Sequence, residues 1–168
     1  MTLRLILTRH ASSDWDEDCP TDHDRTLNAA GRKDAPLIGS WLARQGYAPE
    51  HVLCSSAQRT RETWAGLSPT LGFAGKFEID PRLYQANPAF ILQRLQQVEQ
   101  AQVVMIIAHN PGIARAAISF AAAPPADRQF QRYPPAATTV LEFQAETWSG
   151  VKWGTGHIAA FTVPRAQQ

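Results

Sequence analysis

The 168 residues are enough for one compact domain with a real core. Apolar residues make up 44% and charged residues 18%, an ordinary soluble composition, and no stretch approaches the ~18 apolar residues that a membrane span needs. The formal net charge of +1 excludes the one-signed field that bulk nucleic-acid or membrane-surface binding requires, while leaving room for a local basic pocket.

Leu3–Thr8 is apolar and bounded, as a buried central strand is. Arg9–Arg25 turns polar, with several Asp and Ser residues and Pro20, and reads as a long ordered loop of the kind that carries function. Thr26 or Asn28 caps a helix to about Gln45, with Leu37, Ile38, Trp41 and Leu42 as its apolar stripe and Gly46 as its stop. Pro36 should kink that helix or delay its start. His51–Ser55 is a short strand, 57–71 a second helix and Lys76–Ile79 a third strand. Pro88 opens a helix reaching about Val98. Gln102–Ala108 holds five consecutive apolar positions and is the clearest buried strand; Asn110-Pro111-Gly112 then opens a helix to about Ala121. Pro124–Pro135 reads as a loop, Thr138–Phe143 and Val151–Trp153 as a closing antiparallel pair, and His157–Val163 as a last strand or tail.

Strands alternating with helices predict a three-layer α/β/α sandwich with a mainly parallel central sheet and an antiparallel strand. No repeat or linker divides the chain, so residues 1–168 are expected to form a single domain. The opening apolar run is too short for a signal-peptide core with its cleavage site. Cys19 and Cys54 form no CxxC motif or disulfide framework, which fits a reducing cytoplasm. Lysine occurs only at Lys33, Lys76 and Lys152; the arginine preference suits bidentate recognition of phosphate, and a GC-rich genome produces the same bias.

Ligands of such sheets bind beyond the carboxyl ends of the strands. Three groups fall there: Arg9-His10, Ser55-Ser56 leading to Arg59, and His109-Asn110. A neutral imidazole is a good nucleophile toward phosphorus, and a phosphohistidine splits one hard step into two. Guanidiniums neutralise the equatorial oxygens of a transferring phosphoryl group, and helix N-termini after Ser56 and His109 add N–H donors. The scheme requires no metal and no cofactor. Arg61 stands two residues from Arg59, points elsewhere on a helix and reads as solvated. His23, His51 and His157 lack metal-ligand spacing and read as structural or surface.

Leu7-Thr8-Arg9-His10-Ala11 resembles the Arg-His signature of the histidine phosphatase, or phosphoglycerate-mutase-like, superfamily. Ser55-Ser56-Ala57-Gln58-Arg59-Thr60-Arg61-Glu62-Thr63 resembles its second motif, and Ala108-His109-Asn110-Pro111-Gly112 its later histidine motif. Arg25-Thr26-Leu27-Asn28 and the short length resemble the SixA-like phosphohistidine phosphatase branch. The resemblance covers nearly the whole chain and is weakest after about Phe120. It implies His10 as nucleophile, Arg9 and Arg59 as phosphate clamps and His109 as second imidazole, with Arg25 and Asn110 as further phosphate-binding candidates. It also implies a phosphorylated protein as substrate, for example a histidine phosphotransfer domain.

The larger branches carry a Glu or Asp general acid where this chain reads Pro81-Arg82-Leu83-Tyr84-Gln85-Ala86-Asn87. Asp14 and Asp16 are the nearest substitutes by position. Without an acid, alkoxides are hard to expel, whereas the imidazole of a phosphohistidine needs less help. Two further readings stay open: a phosphatase of a small phosphorylated metabolite, and a phosphate- or phosphopeptide-binding module without turnover.

Overall fold

The computed structural model describes residues 1–15 and 18–167. Among them the chain forms strands β1 (Thr2–Arg9), β2 (His51–Ser55), β3 (Lys76–Asp80), β4 (Val103–Ala108), β5 (Thr138–Gln144) and β6 (His157–Thr162). The α-helices are α1 (Ala29–Gln45), α2 (Gln58–Leu67), α3 (Pro88–Gln96), α4 (Gly112–Phe120) and α5 (Arg128–Arg132). The strands make one sheet in the order β3-β2-β4-β1-β5-β6. Its β3, β2, β4 and β1 run parallel; β5 is antiparallel to both β1 and β6.

Successive residues of a strand leave it on opposite faces. Leu3, Leu5 and Leu7 of β1 enter one core with Ile91 and Leu95 of α3, Ile113 and Phe120 of α4 and Phe130 of α5. Ile6 enters the other with Ile38, Trp41 and Leu42 of α1 and Trp64 and Leu67 of α2. The β4 strand divides likewise, Val104 and Ile106 to one side and Met105 and Ile107 to the other. Helices therefore cover both faces, giving the three-layer sandwich, and burial on both faces is why β1 and β4 read as unbroken apolar runs.

Three details differ from expectation. Asn28 alone caps α1, its side chain accepting the Gly31 N–H at 2.9 Å, and the helix runs unbroken through Pro36. Pro36 is exposed, and burial of Ala35, Ile38, Gly39 and Leu42 beside it outweighs the one missing N–H bond. A short helix, α5, interrupts the 124–135 loop because Asp127 caps it by accepting from the Gln129 N–H at 2.7 Å. Val151–Trp153 forms no strand. Buried Trp148 anchors a 3-10 turn by donating its indole N–H to Ala101 O at 2.6 Å, so pairing with β5 waits until His157. No helix among the described residues is long and apolar enough to cross a membrane.

Candidate active site

Parallel register carries three strand ends to one edge. Arg9 lies opposite Ala108, and Cys54 opposite Ile107. His10 N–H donates to Ala108 O at 3.1 Å, and Ala136 N–H to His10 O at 2.9 Å, tying the turn after β1 to both neighbouring strands. Both α2 and α4 start just beyond β2 and β4, and neither has a side-chain cap. Their first N–H groups therefore remain available to an anion. Two glycines permit the close approaches. A Cβ on Gly31 would lie 2.2 Å from Ser12 O, behind the His10 turn, and one on Gly112 would lie 1.9 Å from Ala86 O.

His10 and His109 are both buried, with ring centroids 5.3 Å apart. His10 Nδ1 lies 2.7 Å from Ala11 O. A carbonyl only accepts, so Nδ1 carries the proton and Nε2 keeps its lone pair. His109 Nε2 lies 2.7 Å from Ser55 Oγ. Burial, reinforced by Arg9 and Arg59, pushes the His10 pKa down to about 3. Burial, then His10 and Arg59, pushes His109 down to about 3 as well. Both rings are neutral at pH 7.

Three guanidiniums surround them. Arg9 donates to Tyr133 O at 3.1 Å. Arg59 donates to Asp22 O at 2.7 Å and to Asp22 Oδ2 at 3.1 Å. Arg25 Nε pairs with Asp22 Oδ1 at 3.3 Å, without the alignment of a hydrogen bond. The Nε atoms of all three are buried and lack a hydrogen-bond partner, as does His109 Nδ1. Buried donors without acceptors are rare and mark a place where an acceptor-rich ligand belongs. Arg9 is drawn below its usual pKa by burial and then by Arg59, a sign of positive charge without a matching anion.

Arg9, His10, Arg59 and His109 thus meet at one edge, and Arg25 joins them through Asp22. Asn110 stands beside them, but its amide nitrogen donates to Arg132 O and Tyr133 O at 3.2 and 2.9 Å, and its Oδ1 is the remaining buried atom without a partner. Asp14 is exposed at the rim of a hollow of about 570 Å³ that also meets Trp15, Asn28 and Arg32. Asp16 lies outside the described residues. Arg61 is exposed, as expected, and bonds to Gln58.

Sequence reasoning missed three members. Asp22, from the first loop, accepts a hydrogen bond from the Tyr84 hydroxyl at 2.5 Å and pairs with both Arg59 and Arg25. Tyr84, first, and then Arg59 and Arg25 hold the Asp22 carboxyl below its usual range, so it is an ionised partner rather than an acid. Tyr84 stands edge-on to His109, and His23 edge-on to Tyr84, with His23 Nε2 2.8 Å from Ser56 Oγ. The region aligned with the missing acid therefore supplies a phenol. No periodicity singles out Asp22 among the aspartates of that loop. A separate hollow of about 400 Å³, lined by His51, Lys76, Glu78 and Arg94, opens where β2 and β3 begin, at the opposite edge, and its charges pair with one another.

The family model described as histidine phosphatase superfamily (branch 1) matches residues 5–88. The chain belongs to the histidine phosphatase superfamily. It is a phosphatase of the hydrolase class, with a SixA-like fold. An uncharacterized protein of Mycobacterium tuberculosis is 33% identical over 165 residues, covering 94% of this chain and 99% of that one. Among solved structures, one bearing the name phosphohistidine phosphatase SixA, from Nakamurella multipartitia, superposes with a TM-score of 0.81 at 25% identity, covering 98% of this chain and 97% of the other. The protein histidine phosphatase SixA complexed with tungstate matches with a TM-score of 0.77 at 20% identity, covering 99% and 100%, a likeness of fold. In this histidine phosphatase the superfamily match ends at α3, so His109 rests on the geometry above and not on the family model.

Proposed function

We propose that the 168 residues act as a single cytoplasmic domain that hydrolyses phosphohistidine in a protein substrate, through a phosphoryl group carried on His10 and without a metal. The observation that carries this reading is the His10 ring itself. Its Nδ1–H is held by Ala11 O, so the Nε2 lone pair is the nucleophile in a pocket whose buried donors lack acceptors. Among the described residues Arg25 and Arg59 share the Asp22 carboxylate and Arg9 bonds a carbonyl, a surplus of positive charge that suits a phosphoryl dianion. Tungstate, the ligand of a SixA with the same fold, is an oxyanion of that kind.

Nε2 forms a bond to phosphorus as the N–P bond of the substrate breaks, and the substrate imidazole, already protonated on its other nitrogen, takes the electron pair and departs neutral. Water then attacks phosphorus as the P–Nε2 bond breaks and its electron pair returns to Nε2; the proton lost by the water passes to solvent, and phosphate leaves. Among the described residues the carboxylate bonded into the cluster, Asp22, is held ionised, which supports a leaving group that needs little protonation. Arg9, Arg25 and Arg59 supply the charge neutralisation that metal ions supply in other phosphoryl transfers.

Rapid-quench trapping tests the mechanism. The intact protein should accumulate an acid-labile, base-stable phosphoenzyme, and His10→Ala should form none and lose turnover. Retained turnover in His10→Ala would sink the mechanism. Phosphohistidine peptides should be cleaved faster than small phosphate esters, and activity should survive EDTA. The reverse substrate preference, or strong inhibition by the chelator, would remove those parts of the reading.

A further inference from the structure

We infer that Ser55 is a positioning residue that decides which nitrogen of His109 carries the proton, so that Nδ1–H, not Nε2–H, faces the substrate phosphoryl group. The inference rests on the reading of the site as a phosphoryl pocket. Ser55 ends β2 and is fully buried. Among the described residues its hydroxyl has two hydrogen-bond partners, the Ala57 N–H, from which it accepts at 3.3 Å, and His109 Nε2 at 2.7 Å. A hydroxyl has one proton to give. Were Nε2 protonated, Ser55 Oγ would accept twice and its own proton would be buried with no acceptor. With Nε2 as a lone pair, the Ser55 proton has its place and the His109 proton goes to Nδ1.

That assignment also makes chemical sense of His109 Nδ1, which is buried and without a partner. A phosphoryl oxygen only accepts, so a bare Nδ1 lone pair would repel it, whereas Nδ1–H completes the set begun by the Nε–H groups of Arg9, Arg25 and Arg59. The two rings are thus both Nδ1–H tautomers turned to opposite use: His10 offers its lone pair to phosphorus and His109 its proton to oxygen. Neutral rings suit this division, and burial keeps both neutral.

Two-bond proton–nitrogen NMR correlations on the ligand-free protein at pH 7 read the tautomer directly. His109 should show a protonated Nδ1 and an unprotonated Nε2. Ser55→Ala should move it to the Nε2–H form or a mixture and lower kcat/KM by roughly 10- to 100-fold, while Ser55→Thr, which keeps the hydroxyl, should keep the Nδ1–H pattern. A His109 protonated on Nε2 in the intact protein overturns the inference, as does an unchanged Nδ1–H pattern in Ser55→Ala. Should either variant fail to fold, the spectrum of the intact protein decides. The spectrum needs no turnover, so failure of the phospho-His10 reading, seen as no trapped phosphoenzyme, is told apart from failure of this one.

Discussion

Arg59 has two edges, and Asp22 occupies one of them. Its Nη1 and Nη2 donate to the Asp22 carbonyl and carboxylate, which leaves the buried Nε–H turned to another use. Asp22 also holds Arg25 and accepts from Tyr84. It therefore sets the angle of a planar fork whose value lies in its direction. Asp22→Ala should leave His10 able to form a phosphoenzyme but lower kcat/KM by roughly 10- to 100-fold through lost alignment. Steady-state kinetics with a phosphohistidine peptide checks this; an unchanged kcat/KM would mean that Arg59 needs no such guide. Tyr133 does comparable service for Arg9 from a left-handed backbone conformation, φ 50°, with its hydroxyl donated to Leu7 O at 2.7 Å and its carbonyl accepting from Arg9.

The element that places His109 is the start of α4, and its approach to the turn after Tyr84 depends on the absence of one side chain. A methyl at Gly112 would meet the Ala86 carbonyl at 1.9 Å. That carbonyl belongs to the backbone of a tight segment in which Gln85 has φ 59°, so little room exists for adjustment. Gly112→Ala should force α4 and the Tyr84 turn apart, with a loss of about 1–3 kcal/mol in stability. It should also lower turnover, because Tyr84 and His109 stand on the two sides of the displaced contact. Urea unfolding and kcat measured together test this. Wild-type values for both would show that the segment yields more easily than its geometry implies.

Across the whole molecule, stability depends on the burial of two imidazoles. An ordinary histidine binds a proton near pH ~6.5, but folded His10 and His109 resist until about 3. Between those values the unfolded chain holds more protons than the folded one. The stability contributed by keeping the rings neutral is fully present above about pH 6.5 and is lost as pH falls toward 3. The urea midpoint should therefore fall from pH 7.5 to pH 5, and the His10→Gln/His109→Gln double variant should show a shallower fall. An equal slope in the two proteins would place the acid sensitivity elsewhere. The sheet tolerates the pair because apolar layers flank it. Leu5, buried at the centre of β1, should cost about 2–5 kcal/mol when replaced by alanine.

The amino-acid sequence by itself determined the layer architecture and the meeting of Arg9, His10, Arg59 and His109. Each lies within a few residues of an apolar run, and parallel strands must deliver their carboxyl ends to a common edge. Such signals are local, and a doubly buried strand cannot hide its pattern. Asp22, Tyr84 and the Tyr133 carbonyl were decided only by tertiary structure. The 9–25 loop holds several aspartates with no period to rank them, and Tyr84 is brought to Asp22 across 62 residues of chain. The role of Tyr133 is carried by a backbone carbonyl, which no side-chain pattern encodes. The late strands show the same limit: the Val-Lys-Trp stretch at Val151–Trp153 looked like a strand, and the burial of Trp148 against Ala101 O settled that pairing begins at His157 instead. Local chemistry named the candidate residues at the strand ends, and long-range packing chose the groups that hold them.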